Sequence, residues 1–506
     1  MTRKLRSRPC GGRAGRVVVW AALSSAPLLV AAKDVPTTCS DICDTLTSSS
    51  CEVTTTHDDI VAGSDIDCTS ARTITVDGGT LKIHDGIYAL RGKSLTLENG
   101  GKLIADCPQS FTNIGFRVVV DETISFVASS GGKMEGRCGV GGGHIALEAG
   151  GDVSIDALGI DVNGTQVSGP GGSVSIVSDG DVAILADVTA EATGGIAEGG
   201  SIEVEADGDI SVQAALKVKG YGNSGNELPG GEISLQAGGD ISVTAGSGLN
   251  AETAAGGGGE ISLEAGGILD VRKPLEARGT SGSEGVGGSI YLVGEQVKLD
   301  NNATVIGGHD GGTIQLEARG GGITVGTTGT ATTLDATGNT GEEGGEIILR
   351  AGGSNVTLGT NATLAVTGAG SGAAGGQVDV SGIDVTTASG TQVFANGASP
   401  DQGGAIRVVA RGAMDLDGTI QANSGGTVTF VHRDGTPTID SGITGYDLVE
   451  DSTLPGPCGD AIRNAADEDC DGADLAGETC TSQSQGTGDL ACASDCTFDT
   501  TGCSGS

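Results

Sequence analysis

Five residues near the C-terminus carry the clearest chemistry in this sequence. Asp467, Asp469, Asp471, Gly472 and Glu478 follow the spacing D-x-D-x-D-G-x5-E. Alternate carboxylates at that spacing converge on one hard cation, the glycine permits a sharp turn, and a glutamate at the twelfth position binds bidentately. Asp467, Asp469, Asp471 and Glu478 are therefore the expected ligands of a calcium ion. Two features run against the loop. Asp474 stands at the eighth position in place of an apolar residue, and Cys470 lies inside it. A solvated acidic turn is the competing reading.

Cysteine is the second chemically distinctive residue. Cys39, Cys43, Cys51 and Cys68 sit in a Ser/Thr/Asp-rich stretch, and Cys107 and Cys138 bracket an irregular section. Cys458, Cys470, Cys480, Cys492, Cys496 and Cys503 crowd the C-terminal 49 residues, a density that marks a small disulfide scaffold. The sequence does not choose the pairing. Cys39 and Cys43 have the C-x3-C spacing of a metal pair, but no histidine pair or second close cysteine pair accompanies them.

Catalytic patterns are sparse. His57, His84, His144, His309 and His432 are single and scattered, which suits surface or turn positions better than bases or ligands. Neither a G-x-S-x-G nucleophile elbow with ordered partners nor a zincin helix is present. Gly256 to Gly259 lacks the Lys-Ser/Thr of a phosphate loop. Paired carboxylates for glycoside hydrolysis stay open, because acids are abundant and their separation in space is not readable.

Net charge narrows the partners. The chain has 27 Lys and Arg against 65 Asp and Glu, a formal charge of −38. Nucleic acid is disfavoured. Residues 1–16 carry Arg3, Lys4, Arg6, Arg8, Arg13 and Arg16, followed by an apolar run from Val17 that ends in Val30-Ala31-Ala32. That layout predicts a secretory signal peptide over residues 1–32, with an uncleaved anchor as the competing reading. Removal of the peptide takes away six positive charges, which moves the net charge from −38 to −44, and leaves twelve cysteines and no transmembrane span. An even cysteine count suits an oxidising, extracellular or outer-surface location.

The elements that would position these groups come from a repeat. From about Gly141 one phrase recurs, as in GGHIALEAGGDVSI, GGSIEVEADGDISV and GGEISLQAGGDISV. The apolar residue after the glycine pair falls at Ile145, Val174, Ile202, Ile233, Ile261, Ile290, Ile314, Ile347, Val378, Ile406 and Val428, a period of about 28 residues. Within a unit, Ile233-x-Leu235-x-Ala237, Ile241-x-Val243 and Leu249-x-Ala251 alternate with period two, which predicts three short strands per unit. Gly-Gly, Gly-Asp and Asn-Gly separate them; these residues tolerate positive φ and so permit corners. One such coil cannot bury its apolar face, whereas stacked coils in parallel register bury a continuous aliphatic column. At ~4.8 Å per coil the eleven phrases build a rod of roughly 50 Å. Ile74-x-Val76, Leu81-x-Ile83, Leu95-x-Leu97 and Leu103 read as earlier, less regular coils.

The phrase resembles the β-helical shafts of filamentous-haemagglutinin-like exoproteins and related pectin-lyase-like solenoids. That resemblance implies a right-handed parallel β-helix and a structural or adhesive role contacting a cell surface, matrix or glycan. It also admits a polysaccharide lyase or glycoside hydrolase. Against an enzyme, Asp58-Asp59 and Arg91-Gly92-Lys93 stand in the wrong order for a polygalacturonase-like site, and His309 is followed by Asp310. Tyr88, Tyr221, Tyr291 and Tyr446 are too scattered for a sugar platform. The stretch from Cys458 to Cys503 resembles the cysteine-rich C-terminal module of secreted and surface proteins of myxobacteria and their relatives, with Ala461 where that module usually has glycine. It implies surface placement.

The expected organisation is all-β: a signal peptide (1–32), a disulfide-bearing cap with irregular first coils (33–140) and parallel β-helix repeats (141–435). A linker (436–457) and a small disulfide-rich module (458–506) follow.

Overall fold

The computed structural model describes residues 38–504, apart from 61–64, 69–71, 84–86, 108–114, 128–130, 139–140, 157–158, 165–168, 222–227, 280–286, 305–310, 339–342, 434–435, 455–469, 471–474, 494–496 and the single positions 255, 328, 330, 400, 424, 453, 476 and 484. The expected signal peptide lies outside the described residues.

Alternation dictates a coil of three strands. A typical coil has a six-residue strand (His144–Ala149), a three-residue strand (Val153–Ile155) and a two-residue strand (Ile160–Asp161). Each strand pairs with its counterpart in the coils before and after, giving three long sheets of 15, 16 and 14 strands. We call them the long, middle and short sheets after their strand lengths. Among the described strands of the solenoid every pairing is parallel except the first. The result is a β-solenoid.

Register follows the repeat. Ile145, Val174, Ile202, Ile233, Ile261, Ile290, Ile314, Ile347, Val378, Ile406 and Val428 pair Cα to Cα, each with the next. All eleven are at most 5 % exposed, so they form one inward column. Burying a Val, Leu or Ile side chain contributes about 1.5–3 kcal/mol, and a one-residue slip would turn the whole column to solvent. Phe116, Phe126 and Phe430 are the largest fully buried side chains, and they sit toward the two ends of the solenoid rather than in its aliphatic middle.

The glycine pairs answer to space more than to backbone sign. A Cβ on Gly200 would stand 2.1 Å from the carbonyl oxygen of Gly172 and 2.5 Å from that of Ala190. The same crowding recurs at Gly231, Gly259 and Gly376, each against a glycine carbonyl of the preceding coil. None of these has a positive φ; that conformation falls instead at corners such as Gly159 and Gly248, just before short strands. At these four positions the pair does not supply positive φ, whereas at Gly78, Gly100 and Gly425 the first glycine of the pair does. The four crowded glycines let two backbones approach closely.

The first edge is closed by a hairpin. Thr45–Leu46 runs antiparallel to Ser50–Val53 and covers the outer edge of the middle sheet. Cys43–Cys51 ties the hairpin, and Cys39–Cys68 ties the 3-10 turn Cys39–Asp41 to the next coil. Cys107 and Cys138 stand opposite one another in register on adjacent strands of the short sheet.

At the other end, two strands fall inside the stretch read as a linker. Thr438–Ile439 pairs with Asp415 and Leu416, and Asp447–Glu450 pairs with Thr429 to His432. The final strand is exposed at all four residues, so it has no buried-exposed alternation to betray it. Beyond it, Cys470–Cys492 and Cys480–Cys503 hold two small antiparallel ladders, Thr487–Gly488 with Cys503–Ser504 and Ala491–Cys492 with Phe498–Asp499. Cys458 and Cys496 lie outside the described residues.

Candidate functional site

Of the expected calcium ligands, Asp467, Asp469 and Asp471 lie outside the described residues, as does Gly472. Glu478 is described. Its carboxylate accepts hydrogen bonds from the Ser482 hydroxyl and, at 3.2 Å, from the Gln483 side-chain amide.

The corner between long and middle sheets carries an aspartate ladder. Oδ1 of Asp152 accepts the backbone N–H of Asp181 at 3.0 Å, Asp181 accepts that of Asp209 at 2.8 Å, and Asp209 that of Asp240 at 2.7 Å. Asp240 in turn accepts from Ile268 at 2.6 Å. The aspartate of the Gly-Asp phrase is thus structural, because its side chain satisfies a donor that the corner would otherwise leave to water.

The outward positions of the middle sheet form a column of small hydroxyls. Thr75, Thr96, Ser125 and Ser154 are consecutive in register, and Ser211 and Ser242 continue the column after Ala183. Thr324, Thr357 and Thr386 take it up again. Asp270 and Lys298 interrupt it between Ser242 and Thr324, and Asp415 follows Thr386.

The short sheet is different. Its outward column runs Glu135, Asp161, Thr189, Lys217, Asn250 and Glu276 in register. Beyond the strands the chain stays extended. Gly164 N–H donates to Glu191 O, Ala192 to Lys219, Gly220 to Glu252 and Thr253 to Arg278, which stacks a second column of Glu191, Lys219, Glu252 and Arg278. Charge alternates along it. Lys219 Nζ lies 2.8 Å from Glu252, Arg278 lies 3.2 Å from Glu252 and 3.3 Å from Glu276, and Lys217 lies 3.4 Å from Asp187. Lys133 bridges Glu135 and Asp161, each at 3.0 Å.

The environments of the two glutamates diverge. Burial pushes the Glu191 carboxyl above its ordinary value, with Lys217 and Lys219 opposing and Asp161 and Glu252 reinforcing. At Glu252 burial acts the same way, but the bonds and charges of Lys219 and Arg278 and a bond from Asn250 outweigh it and hold the carboxyl low. Sequence reading missed this ladder. Its signal was K-V-K at 217–219, N-A-E at 250–252 and E-A-R at 276–278, which lie in phase once the third strand is extended by two residues.

The histidines do not converge on it. His84 and His309 lie outside the described residues. His57 lies 3.5 Å from Asp44, and burial lowers the pKa of His144. His432 is buried, 5 % exposed, in register with inward Ala410; an inward strand end replaces the surface position expected for it. Tyr221 lies beside Lys219, whose Nζ is 5.9 Å from the ring centroid, and Tyr446 packs on Phe430.

The four cap cysteines converge, which sequence reasoning also missed. The sulfurs of Cys39, Cys43, Cys51 and Cys68 all lie within 4.8 Å of one another.

No family model, curated protein or solved structure matches this chain. Among the described residues no helix is long and apolar enough to cross a membrane.

Proposed function

We propose that this chain is a secreted or cell-surface structural protein, a stiff acidic spacer whose lateral faces contact a cell, matrix or glycan. One observation carries the reading. The inward columns form a continuous aliphatic core in register from coil to coil, while the middle sheet faces outward mainly with small hydroxyls and the short sheet with an ion-paired ladder. A surface built this way transmits length and stiffness. The disulfides suit an oxidising exterior. The likeness of the repeat to filamentous-haemagglutinin-like and pectin-lyase-like shafts, and of the tail to a myxobacterial surface module, supports the same placement. In this reading the Asp467–Glu478 loop takes calcium and the tail holds the shaft at the surface.

A second reading rests on Glu191 and Glu252. They stand two coils apart on one column, about 9.6 Å along the axis at ~4.8 Å per coil. Inverting glycosidases hold their carboxyl pair about 6.5–9.5 Å apart, just short of this backbone spacing, one raised in pKa and one ionised. Lys219, between them, is bonded to Glu252 and favours the structural ladder.

One experiment separates the two. The full chain is assayed for binding to cells, matrix components and a glycan array, and for turnover of neutral and acidic polysaccharides. The spacer reading expects binding without turnover. Turnover that Glu191→Gln or Glu252→Gln abolishes, with melting preserved, would overturn it.

A further inference from the structure

The cap holds four cysteine sulfurs in one place, and two disulfides are not the only chemistry they fit. Cys39 sits in a 3-10 turn with Cys43 just beyond it, Cys51 lies in the strand Ser50–Val53, and Cys68 follows the strand Ile66–Asp67. Cys39, Cys51 and Cys68 are at most 3 % exposed. Across the two disulfides the sulfurs of Cys39 and Cys43 are 3.3 Å apart. In a tetrahedral zinc tetrathiolate with Zn–S near 2.3 Å, sulfurs stand about 3.8 Å apart. The spread of 4.8 Å or less among all four is within a small side-chain adjustment of that figure. The C-x3-C step between Cys39 and Cys43 is within the range of natural zinc knuckles. The parallel bridge between Thr38 and Asp67 holds the turn and the following coil in place without any sulfur bond.

We propose that these four cysteines are a convertible knot: two disulfides when oxidised, and one tetrathiolate site for a thiophilic divalent cation, zinc, when reduced. The exchange balances. Two equivalents of a phosphine reductant and two waters convert the two disulfides to four thiols and two phosphine oxides. Binding one Zn²⁺ then releases four protons and leaves a complex of net charge −2. Two equivalents of a small-molecule disulfide, taking up four electrons and four protons to leave as four thiols, re-form both cap disulfides and expel the ion. The knot keeps the first edge of the solenoid closed in either redox condition, which matters because an open sheet edge templates aggregation. This inference does not rest on the spacer reading.

The test uses the full chain reduced with a phosphine, with Co²⁺ and Zn²⁺ as probes. Wild type should bind one metal ion more than Cys51→Ser/Cys68→Ser, and the extra Co²⁺ should show the visible absorption of a tetrahedral thiolate site. The remaining cysteines are common to both proteins, so the difference reports the cap. Equal stoichiometry overturns the proposal. Because the variant could lose its cap, a second measurement uses wild type alone. Reduced, zinc-loaded chain is oxidised while free thiols and released zinc are counted together. One zinc released as Cys39–Cys68 and Cys43–Cys51 form, mapped by peptide mass, supports the knot. Formation of both bonds with no zinc released overturns it.

Discussion

The backbone N–H of Asp181 donates to Oδ1 of Asp152, one coil earlier, at 3.0 Å, and the Asp181 carboxylate accepts the N–H of Asp209 in the same way at 2.8 Å. Four exposed carboxylates thereby stand in file, about 4.8 Å apart. The hydrogen bonds favour this file and like-charge repulsion opposes it. Replacing Asp181 separates the two effects. Asp181→Ala removes the acceptor and should cost about 0.5–1.5 kcal/mol. Asp181→Asn keeps an acceptor and removes a charge, so it should be neutral or slightly stabilising, more so at low salt. Denaturant titrations at two salt concentrations check this. Equal stability of the two variants would mean that the side-chain bond contributes nothing.

The glycine pairs predict a contrast in which conformation and space are separable. Gly200 has no positive φ, yet a Cβ there would overlap the Gly172 carbonyl at 2.1 Å. Gly200→Ala should destabilise by about 1–3 kcal/mol, the usual cost of overpacking. At Gly352 the nearest atom to a Cβ is 3.6 Å away and φ is again not positive. Gly352→Ala should be neutral or gain about 0.4–1 kcal/mol by restricting the unfolded chain. Thermal melts of the two variants decide the matter. A reversed order would show that close backbone approach is not what the paired glycines provide.

These glycines also show what the sequence could and could not disclose. The aliphatic register was legible because period-two alternation sets the phase within a strand and the repeat sets it between coils. The reason for the glycine pair was not, since crowding appears only when two coils are stacked. The second outward column was missed because Glu191, Lys219 and Glu252 lie past the paired strand ends, and although buried Ala190, Val218 and Ala251 continue the alternation beside them, nothing within one coil shows which charges stack on which. The cysteine cluster was half legible. Cys39 and Cys68 are 29 residues apart, the length of one coil, and Thr38 pairs with Asp67. Counting the period back through the irregular first coils would have put those two sulfurs side by side. Cys43 and Cys51 meet through a hairpin outside the repeat, and no periodicity reports on that.

The hairpin depends on Asp44. Its carboxylate accepts the backbone N–H groups of Thr54 at 2.7 Å and Thr55 at 2.8 Å, together with both threonine hydroxyls. Burial pushes the carboxyl up, but the bonds from Thr55 and Thr54 outweigh it and hold the pKa well below the carboxylate range. A depressed folded pKa stabilises above the unfolded value near 3.9 and is lost as pH falls toward the folded one. Asp44→Ala should therefore open the hairpin by about 1–3 kcal/mol at neutral pH, with the difference shrinking in strong acid. Amide exchange at Ser50 to Val53 reads this locally, which suits a solenoid whose coils need not unfold together. Unchanged protection would remove Asp44 from the account of the cap.

Glu191 has the opposite sign. Its pKa is raised chiefly by burial, so its contribution is greatest below the unfolded value near 4.3 and is lost as pH rises through the folded value. At neutral pH the ionised carboxylate is a cost that Lys217 and Lys219 only partly offset. Glu191→Gln should then be more stable than wild type by about 1 kcal/mol or less near neutrality, and the gain should vanish in acid. Lys219→Gln should move the other way, because Glu252 loses its 2.8 Å partner and Glu191 loses a neighbouring cation. Melting curves across the acid-to-neutral range test both. A Glu191→Gln variant less stable than wild type at neutral pH would mean that the ionised carboxylate strengthens the column, and the alternating ladder would then have to be read as a net source of stability rather than a repair of stacked charge.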